Sequence, residues 1–119
     1  MLKIIPTDSE QTVGFTITGR VESDDIDQAA QVIEDKLKTH DKLRIYAEID
    51  HMQGMSFPAL LKDLKFALKH FQDFEKEAIV ADNKWWKRLA FVGNQLVPGI
   101  EVRCFSLSEK DAALQWINA

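Results

Sequence analysis

The sequence predicts an α/β fold: a mixed, mostly parallel sheet in the element order ββαβαβαβα, with the helices mainly on one face. Three observations carry that prediction. Short segments alternate apolar and polar residues at every second position, which marks half-buried strands. Between them, apolar residues recur every three or four positions, as on an amphipathic helix. After an opening pair of strands the two kinds of segment take turns, which calls for right-handed crossovers and parallel pairing. At 119 residues, 45 % apolar and 29 % charged, the chain reads as one globular domain over residues 1–119.

Each element has its own warrant. Residues 2–5 form a short strand that ends at Pro6. Val13, Phe15 and Ile17 alternate with Gly14, Thr16 and Thr18 in a second strand, and the two make a hairpin. Ser23 is the expected cap of the first helix, with Asp24 and Asp25 in the turn where negative charge suits the dipole. Ile26, Ala30, Ile33 and Leu37 follow at helical spacing, to about Thr39. Leu43, Ile45, Ala47 and Ile49 alternate with Arg44, Tyr46 and Glu48. A strand covered on both sides would be apolar throughout, so the sheet's second face should be polar and partly solvated.

Residues 50–55 read as a loop. A second helix should run from its N-cap Ser56 to about Phe71, with Pro58 tolerated in the first turn. Residues 78–81 make a short strand. A third helix should open near Lys84, capped by Asp82 or Asn83, and stop before Pro98-Gly99. Residues 100–106 form the last strand, with Cys104 as a small core residue. Ser108 and Asp111 resemble a capping box for a short final helix carrying Ala112, Ala113, Trp116 and Ile117.

Several functions are excluded at this level. Fifteen basic against nineteen acidic residues leave a net charge of −4, so nucleic acid is not an expected partner. The single cysteine cannot form an internal disulfide or a cysteine-rich zinc site. No metal or other cofactor is expected, and no catalytic set is evident. Neither a membrane-span length of apolar residues nor a signal-peptide core is present, so a cytoplasmic protein is expected, peripheral at the membrane if it binds lipid.

The block Ala59-Leu60-Leu61-Lys62-Asp63-Leu64-Lys65-Phe66, with His70, the run Phe74-Glu75-Lys76-Glu77-Ala78-Ile79-Val80-Ala81-Asp82, and Trp85, resembles the SpoIIAA-like bacterial family. So does Pro98-Gly99-Ile100-Glu101-Val102-Arg103-Cys104-Phe105. The resemblance covers nearly the whole chain. It implies the fold shared by STAS domains, which include anti-sigma factor antagonists, and by CRAL-TRIO lipid carriers. STAS switches carry a phosphorylatable Ser after an Asp, at the start of the helix following the central strand. Ser56 stands at that place here, but Met55 stands where the Asp would be.

The candidate chemistry is sparse. His40, His51 and His70 have no metal-ligand spacing. His40 falls at a helix end and His51 in a loop. His70 lies seven residues after Asp63 on one helix face, expected to be solvated. Ser56 is fully explained as an N-cap, worth about 1 kcal/mol. Phosphorylated, it would place negative charge at a helix N-terminus and act by repelling a partner.

The second and third helices are more informative. At about 100° per residue, Phe57, Leu60, Leu61, Leu64, Leu68 and Phe71 form one stripe, expected to face the sheet. Phe66 lies opposite, between Lys62, Asp63 and His70. In the third helix Trp85, Leu89, Val92 and Leu96 form a core stripe, Trp86 lies on a second apolar flank, and Phe91 sits among polar residues. Lys84, Lys87 and Arg88 add a positive cluster. These helices carry more apolar area than one sheet contact requires. The expectation is a non-catalytic binding protein that engages a nonpolar small molecule or an anionic lipid surface through Phe66, Trp85, Trp86 and Phe91, with Lys84, Lys87 and Arg88 near head groups. The alternatives are a STAS-type module that binds a protein partner and is switched by phosphorylation at Ser56, and an interface-activated hydrolase using Ser56 with His70 or His51. A homodimer is a further way to cover the apolar faces.

Overall fold

In the computed structural model, residues 1–82 and 99–119 are described. The strands are β1 (Leu2–Ile5), β2 (Thr12–Val21), β3 (Leu43–Met55), β4 (Phe74–Val80) and β5 (Glu101–Phe105). The helices among these residues are α1 (Ser23–Leu37), α2 (Phe57–His70) and α3 (Lys110–Asn118). The strands lie side by side in chain order. β1 pairs antiparallel with β2, and every later pairing is parallel, which makes the mixed, mostly parallel sheet that the alternation predicts. The expected third helix and its Asn83 cap lie outside the described residues.

Parallel neighbours joined in sequence by right-handed crossovers keep their helices on one face. Ile33 of α1 packs there with Leu2, Val13, Phe15 and Leu43, and Phe66 of α2 joins the same cluster. The chain after β5 turns to the other face, where Ala113 and Ile117 of α3 bury Tyr46, Ala78 and Val80. That second face is therefore only partly polar. Its charged residues are held: Arg44 donates to Glu75 at 2.7 Å and to the Ile117 carbonyl at 2.8 Å. Lys76 and Arg103 lie 5.1 and 5.0 Å from the Trp116 ring centre.

Four local expectations change. The N-cap of α1 is Glu22, not Ser23, because Asp25 accepts the Glu22 N–H at 2.8 Å and so secures the chain one residue earlier. Residues 50–55 continue β3 instead of forming a loop. They do so irregularly: the register with β2 shifts around Gly19, and His51 and Gly54 adopt positive φ of 57° and 123°. β4 starts at Phe74, four residues before the apolar run, since pairing with β3 continues through Lys76 and Glu77. The start of the last helical segment is secured by Ser106 and Glu109 instead of Ser108 and Asp111, with the Ser106 N–H donated to Glu109 at 2.9 Å.

Gly14 of β2 shows how closely the hairpin packs. It pairs with Ile5, and a Cβ placed there would come within 2.8 Å of the Ile5 side chain and 3.0 Å of the Ile5 carbonyl oxygen. The backbone cannot yield without disturbing the pairing. Gly14→Ala is expected to destabilise the protein by about 1–3 kcal/mol in chemical unfolding.

Candidate functional site

The site begins with which way α2 faces. Its sequence offers two faces about half a turn apart. One carries Phe57, Leu60, Leu61, Leu64, Leu68 and Phe71; the other carries Ala59, Asp63, Phe66, Ala67 and His70. The structure reverses the expectation. The leucine-rich stripe points outward, with Phe57 69 % and Leu68 75 % exposed, while Ala59 and His70 are buried. Phe66, expected on the outer side, packs inward, its ring centre 4.6 Å from that of His70.

Polar contacts to α1 hold this orientation. Lys62 reaches Asp27 at 2.7 Å and Lys69 reaches Glu34 at 3.6 Å. The partners are two helical turns apart on both helices and run in the same direction, so α1 and α2 lie parallel, as successive crossovers of a parallel sheet must. Exposed pairs of this kind contribute little stability each, but they specify register.

A cavity of about 430 Å³ lies between the helices and the sheet. That is the size of a small-ligand pocket. Ile17, Ile45, Ala47 and Ile49 form its floor, Ala29, Ala30 and Ile33 of α1 one wall, and Phe66 and Ala67 of α2 another. Met52 and Met55, in the irregular end of β3, supply adaptable apolar side chains.

Two carboxylic acids enter this apolar lining. Glu77 of β4 is half-buried, and Asp63 of α2 lies across from it at a more exposed edge. Burial pushes the Glu77 carboxyl up from its ordinary 4.5 to about 7, and the nearby charge of Asp63 adds to the effect. Desolvation by the surrounding protein raises Asp63 as well. Sequence reasoning missed Glu77 as a site residue because it began β4 at Ala78. The available signal was period two: Glu77 shares a face with Ile79 and Ala81.

The other sequence candidates are dispersed. His70 is buried, not solvated; its Nδ1 lies 2.8 Å from Asp73 Oδ2, and its Nε2 has no hydrogen-bond partner and faces Glu34 at 3.9 Å. Ser56 caps α2 as expected, accepting the Ala59 N–H at 3.2 Å, and is only 7 % exposed. Ser56 and His70 stand at opposite ends of one helix, about 20 Å apart at 1.5 Å per residue, so they form no nucleophile–base pair. His51 is exposed and paired with Asp50 at 2.8 Å. Cys104 packs in the sheet beside Ile49, Ile79 and Ala81, as expected. Trp85, Trp86, Phe91, Lys84, Lys87 and Arg88 lie outside the described residues. On the far side of the sheet, burial raises the Tyr46 hydroxyl pKa, and its hydrogen bond to Glu48 at 2.7 Å and the charges of Glu48 and Asp111 raise it further.

The fold is that of a regulatory or binding module. Residues 12–118 match the family model described as SpoIIAA-like, and the chain belongs to that family. It is similar to a crystal structure of a protein of the DUF3478 family with a SpoIIAA-like fold from Shewanella loihica PV-4. The two share 25 % identity and a TM-score of 0.79, over 98 % of this chain and 92 % of that one. No curated protein matches the chain. Among the described residues, no helix is long and apolar enough to cross a membrane.

The raised Glu77 pKa has a consequence for stability. Between 4.5 and about 7 the folded state binds the Glu77 proton more tightly than the unfolded chain does. Stability from this group is therefore present below 4.5 and lost as pH rises through 7. Glu77→Gln should stabilise the protein at about pH 8, by on the order of 1–2 kcal/mol for a half-buried group, and so raise its melting temperature there, while changing stability little at about pH 5. Thermal unfolding at the two pH values checks this; a larger gain at the acidic pH would contradict the assignment.

Proposed function

We propose that this protein is a non-catalytic binding module whose ligand is a nonpolar small molecule, held between the sheet and the α1–α2 pair. The observation that carries the reading is the cavity of about 430 Å³ with its aliphatic floor and alanine-rich walls. An apolar hollow of this size, partly open to solvent, forfeits dispersion contacts along its walls, and an apolar guest restores them. Phe66 then serves as part of the wall.

A specific observation favours a second use of the same helix. The outward stripe of α2 leaves five large apolar side chains, Phe57, Leu60, Leu61, Leu64 and Leu68, exposed in one row. Monomers seldom leave such a row uncovered. In our reading it rests on an anionic membrane surface, and Trp85, Trp86 and Phe91, with Lys84, Lys87 and Arg88, extend the contact from the following segment. The protein would then collect or deliver its ligand at the bilayer. Phosphorylation at Ser56 is less well supported, because the hydroxyl is buried and already occupied by the Ala59 N–H.

Two measurements test these readings. A neutral apolar dye such as Nile red should bind the protein and gain fluorescence. Ala30→Phe, which places a ring in the hollow, should weaken that binding at least about tenfold while changing stability by no more than about 1–3 kcal/mol. Dye binding that is absent, or untouched by Ala30→Phe, removes the ligand reading. For the surface, the protein should co-sediment with phosphatidylglycerol vesicles more than with phosphatidylcholine vesicles, and Leu68→Glu or Trp86→Ala with Phe91→Ala should abolish it. Dimerisation in sedimentation velocity without vesicle binding would assign the stripe to a second copy instead.

A further inference from the structure

Glu77 is out of keeping with its surroundings. On β4 it stands beside Ile45 of β3 and Val102 of β5, with Ile79 next along its own face. Among the described residues, the cavity it lines is otherwise apolar except for Asp63. Among the described residues, neither carboxyl has a hydrogen bond or an ion pair. A carboxylate left without a donor in apolar surroundings is costly, and folding alone gains nothing from keeping it there. Asp63, more exposed, adds a like charge nearby. A donor that arrives with the ligand would relieve Glu77 and offset that repulsion.

The geometry points to an amphiphile with a cationic head, in chemical class an alkylamine, as the preferred occupant of the cavity. This deepens the nonpolar-ligand reading and rests on it. The hydrocarbon chain lies along Ile17, Ala47 and Phe66, and the ammonium sits between Glu77 and Asp63. An ammonium offers three donors and a full positive charge to two carboxylates that have no protein donor or cation among the described residues. A long-chain alcohol of the same shape offers one neutral donor. A fatty acid brings a third negative charge to a site that already holds two, and is disfavoured. The raised pKa of Glu77 is consistent with a site poised for a cation, since bound positive charge would bring the carboxyl back toward its ordinary range.

The test is a displacement experiment on the full chain at about pH 8, with Nile red as reporter and decylamine, decanol and decanoate as competitors below their micelle concentrations. Decylamine should displace the dye at about tenfold lower concentration than decanol, with decanoate weakest, as a charge-assisted hydrogen bond exceeds a neutral one. Glu77→Gln should bring decylamine and decanol together while dye binding persists. Asp63→Asn, at the exposed edge, should reduce the amine preference in part, and it decides the matter if the Glu77 variant binds no dye. Decanoate binding as well as decylamine in the wild type overturns the inference, as does an amine preference that survives both substitutions. Failure of the wild type to take up dye at all overturns the cavity reading itself, which separates the two outcomes.

Discussion

The rotational setting of α2 about its own axis is the constraint from which the rest follows. The helix has a bulky apolar face and a face of small and polar residues, and only one can meet the sheet. Burial of leucines alone would favour the bulky face, at about 25 cal/mol per Å² of apolar surface removed from water. The structure turns that face out. The inward face offers what the leucine stripe cannot: Ala59 allows close approach near Val21 and Ile26, and Phe66 reaches the α1–sheet cluster. Lys62 and Lys69 then meet acidic residues of α1 in register.

From that setting come both unusual surfaces of the molecule. Beneath the helix, Phe66 and Ala67 stand over the hollow above Ile45, Ala47 and Ile49. Large side chains above it leave the exposed row. A better-packed arrangement would lose both together, so the two are consequences of one choice. The exposed stripe of α2 departs from local consistency, as natural sequences do mainly at functional sites. The SpoIIAA-like architecture contributes the frame: parallel crossovers put α1 and α2 side by side on one face, while α3 closes the other.

The placement of acid in the site has a similar logic. β4 alternates, so its inward row must be filled by whatever stands at every second position. Ile79 and Ala81 fill it with apolar groups, and Glu77 fills it with a carboxyl. Asp63 comes from the helix above, one turn before Ala67. Neither residue is notable in its own segment, since an acid at a strand start or on a helix flank is ordinary. Their relation exists only across the gap between two layers.

Much of this was legible in the residues alone. The alternation of Val13, Phe15 and Ile17, and of Leu43, Ile45, Ala47 and Ile49, determines strands with one apolar face, because period two admits no other regular structure. The turn of element types determines a mostly parallel sheet, and Ser56 before a helical run determines a cap. What periodicity cannot decide is which of two helix faces turns inward, since the angle between them is local and the choice depends on the partners. Nor can it extend a strand through residues 50–55, where pairing to β2 and not residue preference holds the backbone. Tertiary structure decided those points, because packing compares surfaces that are distant in sequence, and with them it decided where the cavity lies and that Glu77 looks into it.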